Sequence, residues 1–158
     1  MKLLDWIKAN RPGNISEYDD RFEIEHQSGE HSTVFKNAEA NANIVTMNSL
    51  KPLGDTYTDF DGADLFSSTF KIASISNSKC VGDIELVESL SKFQGWVNQL
   101  NPSFPENVVP FMYQAGIGVY AVGVESGKIY EWDDEQGALT DEFDSLAQVL
   151  TEWLDAVA

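Results

Sequence analysis

Two hydrophobic patterns follow each other in the last third of the chain, and their succession constrains the fold more than any other feature. Short runs rich in Val, Ile and Tyr lie at Val108–Tyr113, Ile117–Val124 and Lys128–Trp132, separated by glycine-containing segments, as is typical of antiparallel strands. Apolar residues then recur at helical spacing, which predicts an amphipathic helix from about Thr140 to about Val157. Its apolar face comprises Phe143, Leu146, Ala147, Leu150, Trp153, Leu154 and Val157, and Thr140 or Asp141 is the predicted N-cap.

Upstream patterns predict two more helices and three more strands. The predicted helices span residues 1–10 and Asp83–Leu100, and the predicted strands span Phe22–His26, His31–Phe35 and Phe70–Ile75. Leu53–Phe66 is predicted to form a short helix or a turn that ends at Gly62, whereas Ala38–Leu50 fits no state well. The chain has 158 residues, 42% of them hydrophobic, and no internal repeat, so we predict one domain over residues 1–158.

Charge limits the kinds of partner. Ten Lys and Arg residues oppose 26 Asp and Glu residues, which gives a net charge of −16 at pH 7. Nucleic acid and anionic membranes would be repelled by such a chain, so neither is an expected partner, whereas a basic protein would be attracted. The acidity is also uneven, because residues 129–158 contain nine acids and no Lys or Arg. A role of the acidity in solubility alone is the alternative.

The acidic stretch between the last predicted strand and the last predicted helix is the candidate partner-binding site. Seven acids lie within 14 residues, and Asp133, Asp134, Glu135, Asp141 and Glu142 are predicted to steer a basic partner. The neighbouring Trp132 is the candidate aromatic anchor, and the alternative is a solvated loop with Trp132 in the core. A second acidic segment, with Asp59, Asp61 and Asp64, is the other place where the partner could bind.

Motifs for catalysis or cofactor binding are weak, and we predict no cofactor. His26 and His31 could approach each other across a hairpin and bind zinc, but their spacing matches no zinc signature. Asp59–Asp64 resembles a fragment of a calcium loop without the glycine and glutamate that an EF-hand requires. The glycines at 116, 118 and 123 do not form a phosphate-binding motif, and we expect them to ease a bend in the sheet.

Location is predicted from the single cysteine and the first ten residues. Cys80 is the only cysteine, so no intrachain disulfide can form. Asp5 and Lys8 interrupt the apolar residues of the first ten positions, which is unlike a signal peptide. We therefore expect a cytoplasmic protein.

Four segments in the C-terminal half resemble the SUKH superfamily, which contains fungal cell-wall synthesis regulators and many bacterial immunity proteins. They correspond to the family's (I/V)PF strand, glycine-containing strand, G-x-(V/I)-Y-x-(W/F)-D hairpin return and final helix, and are Phe104–Phe111, Gly116–Val122, Gly127–Asp133 and Phe143–Leu150. The resemblance is strongest over residues 108–154, and Tyr57–Phe66 is similar to an upstream Y-x-x-x-(D/N)-G segment. The final helix opens with Glu142-Phe143 where the family has Ser-Phe.

The resemblance implies an α+β domain in which helices pack on a curved, mainly antiparallel sheet, and it implies no catalysis. Bacterial members bind and neutralise a toxin, often a nuclease, so the first hypothesis is a non-catalytic immunity protein for a basic toxin. A regulatory protein–protein interaction domain of the same fold is the second hypothesis. A metal-dependent hydrolase that uses the acidic cluster or the histidine pair is the third.

Overall fold

The computed structural model describes residues 2–37, 57 and 59–158, which form three helices and eleven strands. The helices are α1 (Leu3–Asn10), α2 (Leu90–Leu100) and α3 (Leu146–Val157). The strands are β1 (Gly13–Glu17), β2 (Arg21–His26), β3 (His31–Lys36), β4 (Phe60–Leu65), β5 (Phe70–Ile72), β6 (Lys79–Val81), β7 (Ile84–Val87), β8 (Val108–Gln114), β9 (Gly118–Gly123), β10 (Ile129–Asp133) and β11 (Ala138–Phe143).

Nine of these strands form one antiparallel sheet in the order β1-β2-β3-β4-β5-β8-β9-β10-β11. Among the described strands, neighbours in the sheet also follow one another in the chain, except at the β5–β8 pair. There the chain leaves the sheet, forms the β6–β7 hairpin and α2, and returns. The predicted α+β class with an antiparallel sheet is therefore confirmed.

One hydrophobic cluster runs from α1 to α3 and connects both ends of the sheet. Leu3 and Ile7 of α1 are fully buried in it, as are Phe111 of β8 and Leu150 of α3. Among the described residues no helix is both long enough and apolar enough to cross a bilayer.

The N-terminal hairpin and the β8–β10 segment agree with the sequence predictions. The strands over Arg21–His26 and His31–Lys36 pair as predicted, and β8, β9 and β10 form consecutive antiparallel hairpins. Pro110, which lacks an N–H group, lies where the β8–β9 register shifts, so the ladder tolerates it as an irregularity. Residues 38–50 and most of the predicted turn at 53–58 lie outside the described residues.

The prediction of a short helix or turn is wrong for residues 60–65, because they form the buried strand β4. Gly62 does not end a turn there. Its φ of +92° and the close approach of Ile72 and Ser74 leave little room for a Cβ atom, so this strand position requires glycine.

The helix predicted over Asp83–Leu100 begins seven residues later, at Leu90. Ile84–Val87 is instead strand β7, which pairs with β6. Ser89 is the N-cap, and its side chain accepts a hydrogen bond from Lys92 N at 3.2 Å, whereas Asp83 caps nothing.

The last helix was predicted to begin near Thr140, and this start is wrong because Ala138–Phe143 is strand β11. Ser145 is the N-cap of α3 and accepts a hydrogen bond from Gln148 N at 3.2 Å. The predicted end at Val157 is confirmed, as is the burial of Leu146 and Leu150. Trp153 and Leu154 are only partly buried, and Phe143 packs against the core from the strand.

Candidate protein-binding surface

The acids predicted as a binding site lie on the β10–β11 hairpin, at one edge of the sheet. Asp133 ends β10, and its Oδ1 accepts hydrogen bonds from Glu135 N at 2.9 Å and Gln136 N at 3.1 Å. Asp133 therefore orders the turn, whereas Asp134 and Glu135 are exposed at its tip. The hydrogen bonds of Asp133 thus fix a turn on which Asp134 and Glu135 are exposed to solvent.

Of the strands that the structure describes, β11 is the last at one edge of the nine-stranded sheet, and it carries Asp141 and Glu142, both exposed. Its register with β10 shifts by one residue, so Thr140 and Asp141 together lie opposite Glu131. Lys128 Nζ lies 3.7 Å from carboxylate oxygens of both Glu142 and Asp144. Lys128 is the only basic residue after Lys92, so negative charge predominates along this edge.

Glu131 shows what this concentration of charge does to a single carboxyl group. Partial burial raises the pKa of Glu131, and the nearby Asp141 carboxylate raises it further. The buried Tyr120 hydroxyl donates to Gln114 Oε1 at 2.7 Å and has Glu131 Oε1 at 3.3 Å. Burial raises the pKa of Tyr120 as well, and the neighbouring Glu131 carboxylate adds to it. The fold thus holds these carboxylates against their mutual repulsion.

Trp132 does not belong to the exposed surface, so its interpretation as an anchor is corrected. Its side chain is 2% exposed, packs against Phe104 with ring centroids 4.9 Å apart, and donates from Nε1 to Asn101 Oδ1 at 3.0 Å.

The second acidic segment is also largely internal. Asp61 is fully buried, accepts a hydrogen bond from Ile75 N at 2.7 Å, and has Lys79 Nζ at 3.3 Å. Asp64 is 6% exposed, and burial raises its pKa although Ser68 donates to it at 2.9 Å. Of the three acids considered there, only Asp59 is exposed, so this segment offers little surface for steering.

The two histidines occupy different environments. His26 is buried, with Nδ1 2.5 Å from Arg11 O and Nε2 2.7 Å from Ser32 Oγ, so both ring nitrogens already have partners. His31 is exposed. Within the described part of the chain, no three His, Cys, Asp or Glu side chains converge in a way that could hold a metal ion.

An apolar groove beside the acidic turn was not expected from the sequence. It encloses about 550 Å³ between α2, β7 and β8, and Asp134 of the acidic turn is one of its lining residues. Its apolar side chains include Leu86, Phe93, Trp96, Leu100 and Tyr113. The helical spacing of Phe93, Trp96 and Leu100 was visible in the sequence, but spacing cannot distinguish a side chain in the core from one on a groove.

Comparison of the chain with protein-family models, with curated proteins and with solved structures finds no match in any of the three. The surface therefore has to be interpreted from its own chemistry.

Proposed function

We propose that this chain is a non-catalytic, SUKH-type immunity protein that acts in the cytoplasm by binding and neutralising a basic, nuclease-like protein toxin. The observation that carries the proposal is the row of exposed carboxylates on the β10–β11 hairpin and edge strand, where Lys128 is the only cation. The α+β class and the ordered motifs of the C-terminal half support the SUKH assignment, and curvature of the sheet belongs to the same proposal.

Electrostatics explains why this surface suits a basic partner. Exposed like charges this close together repel one another, and a cationic surface docked on them would relieve that repulsion. Charges at the rim of an interface act mainly on the association rate, and salt screens them over about 8 Å at physiological ionic strength. We therefore expect fast, salt-sensitive association.

The edge position of β11 favours a different partner over a second copy of the chain. An exposed edge strand can pair with another edge, and charged side chains are a common device that prevents it. Two copies of β11 would bring Asp141 and Glu142 against the same acids, whereas a basic partner meets opposite charge.

Identifying the partner in the native cell is the first test. Crosslinking followed by mass spectrometry would name it, and expressing that partner with and without this chain would measure protection. We expect a basic protein that stops growth alone and is harmless when co-expressed. A partner that is harmless on its own would support the regulatory-domain alternative instead, and an acidic partner would refute the electrostatic argument.

A charge-neutralising triple substitution tests the location of the surface. Replacing Asp133, Asp134 and Glu135 by Asn, Asn and Gln keeps the Oδ1 acceptor of the turn and should slow association by about 3- to 10-fold at low salt. The matched control is Asp5→Asn, Asp19→Asn, Glu25→Gln, which removes three exposed acids elsewhere. Equal effects of both triples would show that only net charge matters, and an unchanged rate and salt slope would place the site elsewhere.

A further inference from the structure

The apolar groove has a floor whose aromatic side chains are held in fixed positions. Trp96 Nε1 donates to Glu88 Oε2 at 2.8 Å, and the indole packs edge-on against Phe93 with centroids 5.0 Å apart. Tyr113 from β8 meets Trp96 at 6.4 Å, also edge-on. A helix, a strand and a hydrogen bond thus orient the two rings before any ligand arrives, so little side-chain freedom remains to be lost on binding.

Part of the groove is apolar surface left in water. Leu100, at the end of α2, is 71% exposed, and Tyr113 is 37% exposed. The Leu100 position continues the face of α2 that buries Phe93 and Val97, one turn beyond the last buried residue. Exposed apolar side chains gathered around one concavity are typical of a contact site, whereas scattered ones need no explanation.

Carboxylates also belong to the lining of this groove. Glu85, Glu88 and Asp134 line the groove, and Lys71 is the single basic residue among the lining side chains. Lys71 Nζ lies 3.8 Å from Asp64, and Lys92 Nζ lies 3.3 Å from Glu85, so two cations moderate the negative charge of the lining without reversing its sign. An occupant that is apolar in the middle and cationic at its end would match both the apolar floor and these carboxylates.

We propose that this groove binds an arginine side chain together with an apolar neighbour from the basic partner, and so acts as the specificity site of the acidic surface. This inference rests on the proposed function, because the hairpin acid Asp134 belongs to both the steering surface and the groove. A guanidinium is planar, stacks on Trp and Tyr faces, and donates hydrogen bonds to carboxylates from its edge, a combination that an ammonium group provides less well. A second copy of this acidic chain would instead bring like charge to the groove.

A small probe tests the groove without the partner. The dipeptide acetyl-Phe-Arg-amide would be titrated into the ¹⁵N-labelled full chain, and the control probe is acetyl-Phe-citrulline-amide, which has nearly the same shape but no charge. We expect a saturable shift of the Trp96 indole N–H, assigned with Trp96→Phe, and binding of the citrulline probe weaker by about 3-fold or more. The indoles of Trp6, Trp132 and Trp153 serve as internal controls.

Variants identify the residues responsible. Tyr113→Ser and Asp134→Asn should each weaken binding of the arginine probe by about 3-fold or more, whereas Ile117→Ser should not change it. Ile117 is the matched control because it is 53% exposed, follows β8 and does not line the groove. Folding of each variant would be checked from its amide spectrum, and equal affinity for both probes, or shifts that do not saturate, would overturn the proposal.

The two proposals fail in different ways. If the identified partner still binds Tyr113→Ser and Asp134→Asn with unchanged affinity, the groove inference is wrong and the immunity function stands. If no basic partner binds the chain while the arginine probe still saturates the groove, the immunity function is wrong and the groove retains its chemistry.

Discussion

The two ends of the molecule use their carboxylates in opposite ways. Residues 2–37 contain seven acids and five basic residues, whereas residues 129–158 contain nine acids and none. At the N-terminal end Arg21 pairs with Asp20 and Glu23, each at 2.9 Å, and Lys36 pairs with Glu17 at 2.7 Å. At the C-terminal end nine carboxylates have one basic residue directly before them in the sequence, Lys128. Ion pairs within the first region neutralise much of its negative charge, whereas most of the negative charge of the second region has no basic residue of that region to pair with.

The pKa values of one carboxyl group from each region express the same difference. Partial burial disfavours the charged form of Glu30, but hydrogen bonds from Ser28 and Arg11 outweigh it and bring the pKa of Glu30 to about 2. Burial also acts on Glu131, and there a neighbouring carboxylate adds to it, so its pKa is raised. Hydrogen bonds from Ser28 and Arg11 thus decide the direction at Glu30, and burial together with Asp141 decides it at Glu131. The ionised carboxylate therefore stabilises the first region and destabilises the second.

The largest predicted effect concerns what holds the unbalanced region in place. With a single lysine available for ion pairs, β11 and α3 must be held mainly by apolar packing, so Leu150→Ala should lower the free energy of unfolding by about 2–5 kcal/mol. Thr151→Ala, at the exposed neighbouring position, is the control and should change it little. Denaturant titration measures both, and a loss below about 0.5 kcal/mol for Leu150→Ala would refute this account.

The next prediction concerns the N-terminal region and the pH dependence of the free energy of unfolding. Burial lowers the pKa of His26, so its neutral form stabilises the fold above the unfolded pKa near 6.5, and this contribution is lost as the pH falls through the lower folded value. Between pH 7 and 5 the wild type should therefore lose stability relative to His26→Gln, with a slope of up to about 1.4 kcal/mol per pH unit. Denaturant titration across this pH range measures both proteins, and the same slope for the wild type and His26→Gln would contradict this account.

The smallest predicted effect is an increase in folding stability on replacing Glu131. Because the pKa of Glu131 is raised in the folded state, its contribution is favourable at low pH and is lost as the pH rises through the folded value. Glu131→Gln should therefore stabilise the protein at pH 7, by about 0.5 kcal/mol or less, and the gain should disappear below about pH 4. Thermal unfolding at both pH values measures it. Destabilisation at pH 7 would show that the hydrogen bond with Tyr120 matters more than the repulsion.

Local pattern was enough to predict α1, the β2–β3 hairpin and the β8–β10 segment, because each is specified by neighbouring residues. It was misleading where two structures share a pattern. Thr140, Asp141 and Glu142 resemble the capped first turn of a helix, yet the strand wins there because it pairs with β10. Leu86 stands four residues before Leu90, which suits a helix, but Ile84–Val87 pairs with β6 instead.

The candidate surface was predictable in its charge and not in its shape. The acids of the hairpin could be located by counting along the sequence. Trp132 is buried against Phe104 and Asn101, which lie far from it in the sequence, and Asp61 is held in the interior by a hydrogen bond from the distant Ile75 N. The burial of Trp132 and Asp61 results from tertiary contacts, and so does the ring contact between Trp96 and Tyr113. None of these can be predicted from a local sequence pattern.

The order of the sheet also has a kinetic consequence. Among the described strands, seven of the eight pairs join strands that follow one another in the chain, whereas the β5–β8 pair encloses the β6–β7 hairpin and α2, residues 73–107. The entropic cost of closing a loop grows with the number of residues enclosed. The hairpins on either side can therefore form before β5 pairs with β8. We expect this pairing to come late in folding. The groove combines residues of α2 and β7, which lie in that enclosed segment, with Tyr113 of β8, so we expect it to form later than the acidic hairpin.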